Sequence, residues 1–174
     1  MGFDASNLEW FVFPPRPTQS ANKFQLNYFE KNGFEAQVKK SGICIVMASE
    51  GYLTRHAYSP EAKWASDWKP SYALRQTLPE GCTIAAELMR DGRVFIWDVL
   101  RFEGEFTAEL TWGARRVILH SIPGIANCLL ETRRRGFRAW FDSLDLEDEG
   151  LVLRLPSGKW KERGWMYKVV RRGG

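Results

Sequence analysis

Short apolar runs with a two-residue period, closed by tight turns, constrain this chain more than any other feature. FEAQVK (34–39) places Phe34, Ala36 and Val38 on one face and Glu35, Gln37 and Lys39 on the other. That alternation predicts a half-buried strand with a polar face. ICIVMA (43–48) and YLTRH (52–56) read as a hairpin across Ser49-Glu50-Gly51, and TIAAELM (83–89) and VFIWDVL (94–100) as a second across Arg90-Asp91-Gly92. AWFDSL (139–144), GLVLRL (150–155) and WMYKVVRR (165–172) read as closing strands. No strand–helix–strand alternation links them, which excludes a parallel sheet built from crossover units. The expected fold class is α+β, mostly antiparallel sheet with peripheral helices.

Three helices are expected. One starts at Asn22, carries Phe24, Leu26, Tyr28 and Phe29, and stops at Asn32-Gly33. A second opens at Ser59-Pro60-Glu61 and runs through Trp64, with proline at the first helical position. The third follows Ser121-Ile122-Pro123, with Ile125, Leu129 and Thr132 on one stripe, and ends at Gly136. Residues 1–33, which include the proline-broken PPRPTQSA, form an N-terminal loop and helix packing on a main domain at 34–174.

A chain of 174 residues suits one domain and supports its own core without disulfide staples. Cys44, Cys82 and Cys128 are odd in number and widely spaced, which points to a reducing compartment and away from a zinc site. Two histidines, His56 and His120, leave little scope for a histidine metal centre or a serine–histidine triad. The N-terminus lacks the pattern of a signal peptide and no apolar run is long enough to span a bilayer, so a cytoplasmic protein without membrane contact is expected. The net charge of +4, with eight Trp and eleven Phe, suits a polyanionic partner offering bases to stack, although most aromatics belong to core packing.

Charged residues punctuate the strands. Lys39 closes the first, Glu87 interrupts the apolar TIAAELM, Glu149 immediately precedes GLVLRL, and Lys168 lies inside the last. A carboxylate between Ala86 and Leu88 needs a reason if that face is buried. In order, QVKKSG, LTRHA, AAELM with FIWDVL, EGLVLR and WMYKVVR resemble the motifs of the adenylation domain of ATP-dependent DNA ligases, in the covalent nucleotidyltransferase superfamily. The first aligns Lys39, Lys40, Ser41 and Gly42 with Lys-x-Asp-Gly. The match runs from about Phe34 to Arg171.

The resemblance implies an enzyme that uses ATP and Mg²⁺ or Mn²⁺, with Lys39 as nucleophile and Lys168 as the catalytic cation on the phosphoryl oxygens. Gln37, Val38, Glu87, Trp97 and Lys168 would bind the nucleotide, with Trp97 stacking on adenine. Glu149, with Glu87, would hold the metal. Arg55 would meet the 5′-phosphate of a nick, and the cations Arg133, Arg134, Arg135, Lys159 and Lys161 would contact nucleic acid, with Arg138 and Arg163 beside them. An amine attacking phosphorus must be neutral, and the developing charge calls for cations around the phosphate.

Three positions depart from the pattern. Ser41 replaces the aspartate, Cys44 stands where DNA ligases often carry arginine, and Val170 stands where a second lysine is expected. No OB-fold domain, the module with which such domains usually continue, is expected in these residues. The expected function is a minimal, phage-type, ATP-dependent DNA ligase of replication or repair, acting on nicked duplex DNA, with a protein partner in place of the OB-fold. An RNA ligase or capping-type nucleotidyltransferase is the nearest alternative. A degenerate domain that binds nucleotide or DNA without catalysis is the other.

Overall fold

The computed structural model describes residues 8–57 and 68–171. Ten strands are named there: β1 (Gln19–Ser20), β2 (Glu35–Lys40), β3 (Ile43–Ala48), β4 (Gly51–Thr54), β5 (Thr83–Leu88), β6 (Val94–Phe102), β7 (Glu105–Phe106), β8 (Thr132–Arg133), β9 (Asp148–Arg154) and β10 (Met166–Val170). The α-helices are α1 (Leu26–Lys31), α2 (Tyr72–Thr77), α3 (Trp112–Ser121) and α4 (Phe137–Asp142). The strands form two five-stranded sheets, ordered β4-β3-β5-β6-β7 and β1-β10-β9-β2-β8. All pairings are antiparallel except β1 with β10. The α+β class expected from the alternating runs is therefore present, and both hairpins form where their turns predict.

The described residues fall into two compact units. Within them the first draws on residues 8–14, 42–57, 68–107 and 115–129, and the second on 15–41, 108–114 and 130–171. In the first, one sheet face carries Ile45, Met47, Ile84, Ala86, Leu88 and Ile96, closed by Leu119, Ile122 and Ile125. In the second, Ala36, Leu151, Leu153 and Val169 of the sheet meet Leu26 and Phe29 of α1 and Phe137, Trp140 and Phe141 of α4.

Helix placement differs from the sequence reading. The expected helix after Pro123 is a single 3₁₀ turn at Ala126–Cys128, followed by strand β8. Gly124, at φ +81°, turns the chain there. Leu129 then bridges Ile96, and Thr132 and Arg133 pair with Gln37 and Ala36, so sheet pairing overrides the helical spacing. AWFDSL is not a strand: Phe137, Trp140 and Phe141 recur at helical spacing on the buried face of α4. The carboxylate of Glu30 caps that helix, accepting from the N–H of Gly136 at 3.0 Å and of Phe137 at 3.2 Å. Helix α3 was not expected, although Thr111 Oγ1 accepts from Ala114 N–H at 3.2 Å as a cap should. The helix at Asn22 does form, led in by a 3₁₀ turn with a capping box between Asn22 and Gln25. The expected helix at Ser59–Trp64 lies outside the described residues.

Phe137 is fully buried between α1, α4 and the sheet, so Phe137→Ala is expected to destabilise the protein by about 3–5 kcal/mol in urea unfolding. Cys82 is completely buried, and burial, only partly offset by Arg101, pushes its thiol up to about 12. Iodoacetamide is therefore expected to spare Cys82 in the folded protein and to reach it only in denaturant, as peptide mass spectrometry would record.

Candidate functional site

Paired residues of neighbouring antiparallel strands share a sheet face. In the second unit this rule sorts the side chains cleanly. Ala36, Val38, Leu151, Leu153, Tyr167 and Val169 face the core beneath α1 and α4. The opposite face carries three rows: Met166, Arg154 and Glu35; Lys168, Val152, Gln37 and Thr132; Val170, Gly150 and Lys39. Lys39, Gln37 and Lys168 thus come together on one face. Val38 does not; its side chain is turned to the core.

Lys39 is the centre of this face. Its ammonium pairs with the carboxylate of Glu149, with the two side chains 29% and 38% exposed. In a regular ladder Glu149 would point to the core side. The register breaks here: Lys39 pairs with Gly150 but Lys40 pairs with Asp148, leaving Glu149 as the extra residue of a β-bulge. The bulge turns the carboxylate onto the lysine's face. Gly150 is needed next to it, because a Cβ there would collide with the backbone of Val169. Lys40 has a separate partner, Asp148, at 2.8 Å.

One row along, Gln37 is held from both sides. Its Oε1 accepts from Arg154 Nη1 at 2.5 Å, and its Nε2 donates to Thr132 Oγ1 at 3.0 Å. The Arg154 guanidinium lies 4.9 Å from the centre of the Trp112 ring. Arg154, Thr132 and Trp112 are site residues that the sequence reading did not single out. An arginine at the end of the otherwise apolar GLVLR, in phase with Gly150, was the available signal; nothing local marked Trp112.

The expected nucleic-acid cations are more occupied than their clustering suggests. Arg133 bonds Glu131 at 2.7 Å and stacks 4.1 Å from the Trp140 ring centre, Arg134 bonds Glu35 at 3.0 Å, and Arg138 bonds Asp142 at 2.9 Å. Arg135 is exposed, and Lys159 and Lys161 stand in the loop between β9 and β10.

In the first unit, Glu87 shares a row with Cys44 and Phe95 and accepts from Gly42 N–H at 3.1 Å. A Cβ on Gly42 would lie 2.5 Å from the Leu88 carbonyl oxygen, which is why glycine stands there. Trp97 is buried at a second bulge, opposite the Ala85–Ala86 step. Asp98 is wholly buried and accepts from Arg115 Nε at 2.8 Å and from Val99 N–H at 2.8 Å, a structural pair. Arg55 is exposed; its N–H donates to the Cys44 carbonyl at 2.9 Å and its Nε to His56 at 3.1 Å.

No group of three or more acidic, histidine or cysteine side chains gathers as a metal cage among the described residues. The carboxylate beside Lys39 is that of Glu149; Glu35, two rows along the same face, is buried and bonded by Arg134. The Glu149 carboxylate suits a hard cation that keeps most of its waters and takes its other ligands from phosphate oxygens.

The two mostly antiparallel sheets with few helices have the fold of the adenylation, or nucleotidyltransferase, domain of ATP-dependent polynucleotide ligases. Solved structures that carry it include a Lig E DNA ligase, described as binding DNA with a minimal scaffold (TM-score 0.62, 13% identity, 92% of this chain and 70% of that one). The ligase domain of M. tuberculosis LigD (0.60, 15%, 91% and 60%) and an archaeal ATP-dependent RNA ligase (0.53, 16%, 91% and 48%) carry it too. The chain thus spans 60% of the second structure and 48% of the third, and at such identities the likeness is one of fold. Neither a protein-family model nor a curated protein matches the sequence.

Replacing Arg154 by Met would leave the buried Gln37 Oε1 without its donor. The expected loss is about 1–3 kcal/mol in denaturant unfolding. A stability equal to that of the unaltered protein would show that this hydrogen bond contributes nothing.

Proposed function

We propose that this chain is the nucleotidyl-transferring domain of an ATP-dependent polynucleotide ligase, with nicked DNA as the favoured substrate. The observation that carries the reading is the bulge that brings Glu149 onto the face of Lys39, beside Gln37 and Lys168, within a ligase fold. The EGLVLR and AAELM…FIWDVL segments favour the DNA branch.

The chemistry follows from what these residues can do. Lys39 Nζ, once neutral, attacks the α-phosphorus of ATP. A P–N bond forms, the α–β P–O bond breaks, and pyrophosphate leaves. AMP then passes to a 5′-phosphate, and the neighbouring 3′-hydroxyl displaces it to seal the strand. Lys168 supplies a fixed positive charge on the same face for the developing phosphoryl charge. A divalent ion held by Glu149, when bound, would neutralise phosphate charge and act as a Lewis acid. Glu149 has a second role: paired with Lys39, it stations the amine on this face until ATP arrives, and attack requires the pair to separate.

In the first unit, Glu87 would hold ribose or contribute to the metal site, Trp97 would stack on adenine, and Arg55 would take the 5′-phosphate, to which a guanidinium can bond bidentately. Of the basic cluster, Arg135, Lys159 and Lys161 are better placed for phosphate contact than Arg133 and Arg134, whose guanidinium groups already have carboxylate partners. Such contacts would add affinity without reading sequence.

An RNA substrate is the second reading, favoured by the fold shared with the archaeal RNA ligase. The test is incubation with ATP, Mg²⁺ and either nicked DNA or nicked RNA. Sealing of nicked DNA that disappears in Lys39→Ala is expected, and preferential sealing of nicked RNA would move the substrate to the other branch. Covalent AMP on the protein that survives in Lys39→Ala would contradict the role given to that lysine.

A further inference from the structure

On the footing of the ligase reading, we infer that Lys40 and Arg171 are positioning residues: together they clamp the acidic loop before β9 and so hold Glu149 against Lys39. Lys40 reaches the side chains of that loop and Arg171 its main chain. Lys40 is in register with Asp148 on the far side of the bulge, and Arg171 follows the last residue of β10.

The loop has a problem that the clamp solves. Asp145, Glu147, Asp148 and Glu149 crowd four carboxylates into five residues, and Asp148 is buried. Like charges so close repel one another, and the bulge has given up regular ladder bonds at the point where they meet. Lys40 answers from one side. Its ammonium lies 2.8 Å from Asp148 and 3.6 Å from Glu147, with only 13% of its side chain exposed. The next residue adds a main-chain tie, Ser41 N–H to the Glu147 carbonyl at 3.1 Å.

Arg171 answers from the other side, through the backbone. Its guanidinium donates to the carbonyls of Leu144 at 3.1 Å, Asp145 and Asp148, and its own N–H donates to the Glu149 carbonyl at 2.9 Å. The fork of donors on an arginine can serve several carbonyls at once, which a lysine cannot. The residues on both sides of the bulge, and the main chain of Glu149 itself, are thus fixed. With its main chain held there, the Glu149 side chain starts from the bulge on the Lys39 side and pairs with that lysine. This also gives the two cations a use that the motif comparison left open, since Lys40 is not the nucleophile and Arg171 is not on the lysine face.

The test reads Lys39 directly. An amine engaged by a carboxylate is shielded from acylation, so labelling with acetic anhydride in the folded, ATP-free protein, mapped by peptide mass spectrometry, reports whether the pair is intact. Glu149→Gln should raise Lys39 labelling several-fold. Lys40→Met and Arg171→Met should raise it by a similar factor, and Lys40→Arg, which keeps the charge, should stay close to the unaltered protein. AMP attachment at saturating ATP should fall about tenfold or more in the two methionine variants, with the KM for ATP little changed, because the fault is misplacement and not lost binding. A folded Arg171→Met or Lys40→Met with unaltered Lys39 labelling would overturn the clamp. If a methionine variant does not fold, Arg171→Lys decides instead: a partial rise is expected, and none would overturn it. Absence of AMP attachment in the unaltered protein would defeat the ligase reading alone, because the labelling comparison needs no turnover.

Discussion

The pairing of Lys39 with Glu149 is the interaction on which the functional face depends. As a contribution to stability it is minor: both side chains are about one-third exposed, and pairs screened by water to that degree contribute on the order of 0–1 kcal/mol. Its cost lies elsewhere. A bulge interrupts the ladder between β2 and β9, Gly150 gives up a side chain, and an acidic loop must be held by Lys40 and Arg171. A fold seeking stability alone would extend the regular ladder through this point. The irregularity is accounted for if the carboxylate and the amine must meet on one face.

The rest of that face is built to stay still. Gln37 has both ends of its amide engaged, by Arg154 and Thr132, and Arg154 is in turn backed by the Trp112 ring. A buried polar network of this kind is favourable only when its members are satisfied, and then it fixes side-chain directions. On the opposite face the sheet meets α1 and α4 through an unbroken apolar layer, which anchors β2, β9 and β10 from behind. Lys39, Glu149 and Lys168 are therefore presented by one sheet anchored from behind.

Much of this was legible in the sequence, and the reasons are local. The alternation in FEAQVK assigns Lys39 and Gln37 to one face because a strand allows no other arrangement. The turns at Ser49-Glu50-Gly51 and Arg90-Asp91-Gly92 fix both hairpins through short-range preferences. The misreadings arose where distant pairing decides the outcome. Ile125, Leu129 and Thr132 have helical spacing, yet Leu129 and Thr132 are claimed by β6 and β2. AWFDSL has the composition of a strand, but its rings gather on one helical face over Leu26 and Phe29. The bulge at Glu149 was invisible for the same reason, since a register shift belongs to two strands 110 residues apart and to neither alone. Ser41, Cys44 and Val170 are now placed. Ser41 ties its N–H to the Glu147 carbonyl, Cys44 is in register with Glu87, and Val170 lies in the row of Lys39.

The central claim is that the register shift separates two adjacent lysines, giving Lys39 to the reacting face and Lys40 to Asp148. The most direct measurement is fragmentation mass spectrometry of the protein after exposure to ATP and a divalent cation, resolving the peptide that contains both. The account predicts a single AMP on the Nζ of Lys39. AMP on Lys40, or none on either lysine, would contradict it.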